Sequence, residues 1–236
     1  MLDHEGSSFR AGIKTLGALI FDFDGVIADS EAIANTVLAE TVTCLGHSTT
    51  LDQALTRYSG RRWDDVMTEI EAAIGKPLPG NFSSDLKRAT LERFRTDLKE
   101  VNGARNFIKR FSHIPRCIAS SSSLDRLQLC LSVLALEAEF GHHVFSADMV
   151  ARGKPHPDIF LFAADRLGVS PDQCLVIEDS AGGIRAAVAA GMTAIGLCAA
   201  SHIREGHHLK LKDAGAVHLA HSWSDVEHFA LQYFKC

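Results

Sequence analysis

An open α/β fold is what the sequence predicts: a parallel sheet covered by helices on both faces, with a small helical insertion. Three observations predict it. Short, wholly apolar runs recur along the chain, as strands buried on both faces of a parallel sheet require. Helical spacing fills the intervals between them, which implies right-handed crossovers. The alternation is suspended once, early, where residues from about Thr50 to Glu100 read as helix without a strand.

The first strand is Ala18-Leu19-Ile20-Phe21, ending in Asp22-Phe23-Asp24-Gly25. A helix follows to about Leu45, with Ile33, Val37 and Leu38 at helical spacing and Asp29 or Ser30 as its expected cap. Helices are then predicted over 62–74 and 83–99, separated by the breakers Lys76-Pro77-Leu78-Pro79-Gly80. Strand signals resume at 117–119, 144–145, 174–177, 193–197 and 216–219. Helices are expected near 103–111, 123–134, 157–168, 180–190 and 223–234, with Asp158 capping the third of these. The organisation read from this is a core over 17–32 and 102–236, an all-helical insertion over 33–101, and a polar leader over 1–16.

Composition sets the bounds. Of 236 residues, 46% are apolar and 22% charged, which excludes disordered, collagenous and low-complexity classes. A folded chain of this size buries roughly 70% of its unfolded surface, enough for a sizeable core. With 24 basic against 29 acidic residues the net charge is −5, so there is no broad basic surface for nucleic acid. The longest uncharged run, Ala186 to Ser201, is broken by Gly191 and Gly196 and reads as a helix end and a strand, not a membrane span. The N-terminal stretch holds no apolar signal core. Cys44, Cys117, Cys130, Cys174, Cys198 and Cys236 show no framework spacing and read as free thiols. A cytoplasmic chain follows, and with nothing marking an obligate interface, a monomer.

In an open α/β sheet, ligands bind beyond the carboxyl ends of the strands. Asp22 and Asp24 end the first strand there, and Ser120 to Ser123 the second. Lys154 opens a later segment, and Glu178-Asp179-Ser180 ends the 174–177 strand. Carboxylates crowded at one rim repel unless a cation intervenes, and hard oxygen ligands beside a phosphate substrate suit Mg²⁺. A carboxylate attacking phosphorus would form an aspartyl-phosphate, with Mg²⁺ and a lysine neutralising the charge. The Ser120 hydroxyl and neighbouring backbone N–H groups at a helix start could hold phosphoryl oxygens.

Other readings of these residues are weaker. The stretch after Asp24 lacks the repeated oxygen ligands of an EF-hand. Gly153-Lys154 is not a Walker loop, because Asp148 stands where its first glycine belongs and Pro155 replaces Ser or Thr. The twelve histidines, His142-His143 and His207-His208 included, show no zinc-ligand spacing.

The four strand-end motifs closely resemble those of the haloacid dehalogenase-like phosphohydrolase superfamily. They are Phe21-Asp22-Phe23-Asp24-Gly25-Val26, then Ser120, then Lys154 in Gly153-Lys154-Pro155-His156-Pro157-Asp158, then Glu178-Asp179-Ser180-Ala181-Gly182-Gly183. The resemblance spans about 16–225 and implies a Rossmann-like core, with the insertion as the family's small α-helical cap. The wording is similar to the branch holding sugar-phosphate phosphatases and β-phosphoglucomutase. By that resemblance Asp22 is the nucleophile, and Asp24 the acid for the leaving group and the base for water. Asp22, the Asp24 backbone carbonyl and Asp179 would hold Mg²⁺, with Glu178 orienting the metal or its waters. Ser120, with Ser121 beside it, and Lys154 would bind the phosphoryl group, and Arg61, Arg62 and Trp63 fall where the branch places its specificity loop.

One departure separates the two activities of that branch. A histidine twelve positions after the nucleophile serves the mutase, and here that position is Ala34. The reading is therefore a phosphatase acting on a small phosphorylated metabolite, a sugar or polyol phosphate. A phosphosugar mutase is the first rival and a non-catalytic phosphate-binding protein the second.

Overall fold

In the computed structural model, which describes residues 16–233, six parallel strands form one sheet in the order β3-β2-β1-β4-β5-β6. They are β1 (Ala18–Phe21), β2 (Arg116–Ser120), β3 (Val144–Ser146), β4 (Cys174–Glu178), β5 (Thr193–Leu197) and β6 (His218–Ala220). The predicted fold class is what is found. The last strand starts two residues later than expected, although the Val217 N–H still reaches the Ala194 carbonyl at 2.9 Å. The leader, apart from Leu16, and Cys236 lie outside the described residues.

Strand alternation divides the core in two. Leu19, Phe21, Ile118, Leu175 and Ile177 face one side of the sheet, and Ala18, Ile20, Cys117, Ala119 and Val176 the other. The first face is large and aromatic. Phe21 meets Phe107 and Phe140 edge-on, with centroids 6.1 and 5.9 Å apart. It is covered by α5 (Ala104–Arg110), α6 (Leu124–Leu134) and α11 (Trp223–Tyr233). The second face is built on small residues, so α8 (Asp158–Leu167), α9 (Ala181–Ala189) and α10 (His207–Asp213) cover it. A single turn of helix, α7 (Glu137–Phe140), which the sequence did not indicate, leads into β3. The five cysteines among the described residues are free thiols. No helix there is long and apolar enough to cross a membrane.

Between β1 and α5 the chain makes four helices, α1 (Glu31–Cys44), α2 (Leu51–Arg57), α3 (Trp63–Ile74) and α4 (Phe82–Asp97). They share a separate apolar cluster that includes Leu38, Val42, Tyr58, Val66 and Ile70. The spacing had shown helical text from Thr50 but had not resolved α2. Its start is fixed by a capping box, in which the Gln53 N–H donates to the Thr50 hydroxyl and the Thr50 N–H to the Gln53 side chain. The segments entering and leaving this group lie side by side. The Asp29 N–H donates to the Lys99 carbonyl at 2.9 Å and the Val101 N–H to that of Ile27 at 2.8 Å.

Three expected caps are corrected. Ser30 does precede α1, but its hydroxyl is given to Asp24 rather than to the helix. Asp29 accepts instead from the Ser201 backbone and hydroxyl, 172 residues away. Asp158 is the first residue inside α8 and pairs with Arg152 at 2.8 Å, leaving the cap position to Pro157.

Candidate active site

Register brings the site together. Phe21 lies opposite Ile118 on one side and Ile177 on the other, so the next residue, Asp22, is level with Ala119 and Glu178. Asp22 and Asp24, Ser120 and Ser121, Lys154, Glu178 and Asp179 all line one cavity of about 850 Å³ at this edge. The sequence had placed all seven at one rim, and the structure brings all seven there. The turn carrying Asp24 depends on Gly25, whose φ is +76°. A Cβ at Gly25 would stand 1.9 Å from Asp179 Oδ2.

Lys154 is the hub of one half of the site. Its ammonium donates to Asp22 Oδ1 and Glu178 Oε1, each at 2.7 Å, and to the Ala119 carbonyl at 2.9 Å. Burial works against its charge, but Asp22 and Glu178 outweigh it and hold the lysine above its ordinary pKa. Glu178 is fully buried, and its second oxygen accepts the Ser180 N–H at 2.7 Å. Beneath that carboxylate lies Gly183, where a Cβ would stand 1.6 Å from Glu178 Oε1.

Three acids share this space with one ammonium. Burial pushes Asp22 well up, relieved in part by Lys154 and reinforced by Glu178 and Asp179. Asp179 is likewise raised, by burial first and then by Glu178. One oxygen each from Asp22, Glu178 and Asp179 lies within 4.8 Å of the others. Hard oxygen donors, short of positive charge and gathered at that spacing, fit a small divalent cation. Two histidines border Asp179, His202, which the sequence did not single out, and His207, which it had weighed only as a zinc ligand. His202 Nε2 lies 3.2 Å from the Asp179 carboxylate and His207 Nε2 2.6 Å from the Asp179 carbonyl.

Asp24 stands in different company. Its Oδ1 accepts from Ser30 Oγ and from Arg126 Nη2, both at 2.5 Å, and its Oδ2 from Ser122 Oγ at 2.5 Å. Burial would raise it, but Arg126 and the hydroxyls of Ser122 and Ser30 win, and its pKa is lowered. The Arg126 guanidinium also lies 4.9 Å from the Phe94 ring of α4. Arg126 was missed by sequence reasoning; the available signal was a cation in the first turn of the helix after the serine run. Ser120, nearly fully buried, accepts the Ser122 N–H at 3.1 Å.

A second cavity, of about 570 Å³, lies between α1 and α4. Ser121, Arg61 and Trp63 border it, and Arg62 does not. Arg61 is drawn toward Glu69, and Trp63 stacks on Phe82 with its Nε1 donating to Ser83 at 3.0 Å. Trp63 thus packs one face against the helical group while it remains 37% exposed.

The family model of the haloacid dehalogenase-like hydrolases matches residues 16–191. The 6-phosphogluconate phosphatase of Escherichia coli is 25% identical over 200 residues, 84% of this chain and 90% of its own length. The fructose-1-phosphate phosphatase of the same organism is 30% identical over 75% of this chain and 94% of its own. Among solved structures, a conserved haloacid dehalogenase-like protein of unknown function from Agrobacterium tumefaciens superposes with a TM-score of 0.84 at 36% identity. That match covers 92% of this chain and 98% of the other.

Proposed function

Because this chain belongs to the haloacid dehalogenase-like hydrolase family, we propose that it is a Mg²⁺-dependent phosphatase of a small phosphorylated metabolite, a sugar or polyol phosphate. One observation carries the reading: Lys154 bridges Asp22 and Glu178 at 2.7 Å while Asp179 completes a buried set of acids short of positive charge. The phosphatase relatives acting on 6-phosphogluconate and fructose 1-phosphate support the substrate class.

In this reading Asp22 attacks phosphorus in line through its carboxylate and becomes an aspartyl-phosphate, as the P–O bond to the leaving alcohol breaks. Asp24 supplies the proton to that alcohol and afterwards takes one from the water that hydrolyses the acyl phosphate. The ionised Asp24 held by Ser30, Ser122 and Arg126 is the form required for the second half. Lys154 and Ser120, with Ser121 beside it, hold phosphoryl oxygens. Asp22, the Asp24 carbonyl and Asp179 would hold Mg²⁺, which when bound neutralises phosphoryl charge. Glu178, both oxygens already committed to Lys154 and Ser180, orients rather than ligates. Helices α1–α4 act as a cap that screens the cleft from water. Hydrolysis is preferred to mutase transfer because Ala34, bordering the cavity between α1 and α4, offers no proton-carrying group there.

The test is phosphate release from a panel of sugar, polyol and nucleotide monophosphates, with Mg²⁺ and with EDTA, beside Asp22→Asn. Release that needs Mg²⁺ and vanishes in the variant is expected. EDTA-resistant release, or a fully active Asp22→Asn, would sink the mechanism.

A further inference from the structure

The peptide that joins Asp179 to Ser180 is held at both edges. Its N–H, from Ser180, donates to Glu178 Oε2 at 2.7 Å. Its carbonyl, from Asp179, faces His207 Nε2 at 2.6 Å. A carbonyl can only accept, so this ring nitrogen carries the proton and donates. One hydrogen bond leaves a peptide plane some freedom to rock about its two Cα atoms, and a second on the opposite edge removes it. The orientation of that plane sets the direction in which Asp179 presents its carboxylate. Glu178 adjoins the peptide in the chain, whereas His207 reaches it from 28 residues beyond Asp179, past β5.

His207 is itself placed by the loop between β5 and α10. Gly206, with a φ of +77°, turns the chain there, and the His207 N–H returns to the Arg204 carbonyl at 3.1 Å. His202, from the same loop, packs beside both partners. Its ring meets that of His207 edge-on, centroids 6.1 Å apart, and its Nε2 lies 3.2 Å from Asp179 Oδ2. A Cβ at Gly25 would stand 2.8 Å from that ring, so the space around the acid is filled. Ser201, one residue earlier, is tied to Asp29 through its N–H and hydroxyl at 3.0 and 2.8 Å. The loop that bounds Asp179 is therefore anchored independently of the acid.

We propose that His207 is a positioning residue for the divalent cation, acting through the Asp179 carbonyl on the carboxylate that would hold the ion. The inference rests on the metal-dependent phosphatase reading and adds to it a residue outside the four strand-end motifs. Removing a group that orients a metal ligand typically weakens metal affinity by about 10–100-fold. A bond that served only to fasten the start of α10 would change stability and leave the ion's affinity alone.

The test is calorimetric titration of Mg²⁺ into the full chain, beside His207→Leu and His207→Gln. Leucine fills the space without a donor, and the glutamine amide offers an N–H near the place of Nε2. The Kd for Mg²⁺ should weaken at least about tenfold in His207→Leu and return to within about threefold of wild type in His207→Gln. In phosphate release, His207→Leu should need about tenfold more Mg²⁺ for half-maximal rate, with kcat at saturating Mg²⁺ within about threefold. Thermal unfolding in EDTA checks that His207→Leu folds. If it does not, His207→Asn, polar but too short to reach the carbonyl, takes its place. Equal Kd values in wild type and the donor-less variant overturn the proposal, whatever happens to stability. A loss that His207→Gln fails to restore overturns it too. Failure of the metal reading looks different: wild type itself then takes up no Mg²⁺, and the proposal falls with it.

Discussion

Asp22 and Asp24 leave the same strand two residues apart, and their surroundings are opposites. Asp22 shares a buried space with Glu178 and Asp179 and meets one ammonium, which Glu178 shares. Asp24 meets a guanidinium and two hydroxyls, which occupy both of its oxygens. Burial pushes both carboxyls up, yet only Asp24 has enough opposing donors to end below its ordinary pKa. The difference teaches that a carboxylate's role is set by the count of charge and donors around it, not by depth of burial alone. The half of the cleft short of cations suits a metal and a nucleophile; the balanced half suits proton transfer.

That contrast can be broken most severely at Lys154. Lys154→Met removes the ammonium that bonds both Asp22 and Glu178, and phosphate release should fall by about 10²–10³. Stability should fall too, by about 3–5 kcal/mol, since Asp22 and Glu178 lose a buried partner; chemical denaturation measures it. A variant within threefold of wild type would remove Lys154 from the chemistry.

Magnesium should act on the same half with a definite pH dependence. Asp22 and Asp179 have folded pKa values above their unfolded ones, so the folded state holds the extra protons. Their contribution to stability is therefore lost as pH rises through the raised values. A cation binds only the ionised forms, so its stabilisation grows over the same interval. At a hundredfold excess over Kd that stabilisation is about 2.7 kcal/mol. Thermal unfolding with and without Mg²⁺ should show a larger upward shift at pH 8 than at pH 5. An equal shift at both would mean the ion sits elsewhere.

Arg126→Met tests the balanced half by itself. It should lower kcat/KM about tenfold by freeing the Asp24 carboxylate, while the Mg²⁺ concentration for half-maximal activity stays put. A changed Mg²⁺ requirement would show that the two halves are not independent. The smallest effect belongs to Arg62, exposed and bordering neither cavity. Arg62→Ala should change stability by less than about 0.5 kcal/mol and KM by less than twofold, against the specificity role that its position in the sequence suggested.

Much of the acid-rich half was legible in the sequence because each of its residues ends or follows an apolar strand, and strand ends in a parallel sheet share one edge. Lys154 reads the same way once the strands are placed. The partners of Asp24 were not legible. Ser122 and Arg126 reach it across 98 and 102 residues, and a cation in the first turn of a helix does not by itself tell which acid it meets. The caps failed for a related reason. Asp29 and Ser30 carry good capping chemistry, but Ser201 and Asp24 compete for them from far along the chain. Short α2 escaped because seven residues give too little periodicity, and only its capping box announces it.

The fit of Glu178 over Gly183 bears on how substitutions in this protein are to be interpreted. Any other side chain at 183 begins with a carbon 1.6 Å from a carboxylate oxygen, an overlap that moves Glu178 or the start of α9. A mutational scan scored by turnover would therefore rank position 183 with the reacting residues, although glycine has no side chain to offer the substrate. Sensitivity there reports reserved space rather than chemistry. Gly182, its neighbour, has nothing within 4 Å of the same hypothetical carbon and supplies the matched control. Alanine tolerated at 182 and refused at 183 would separate the room an acid needs from the work it does.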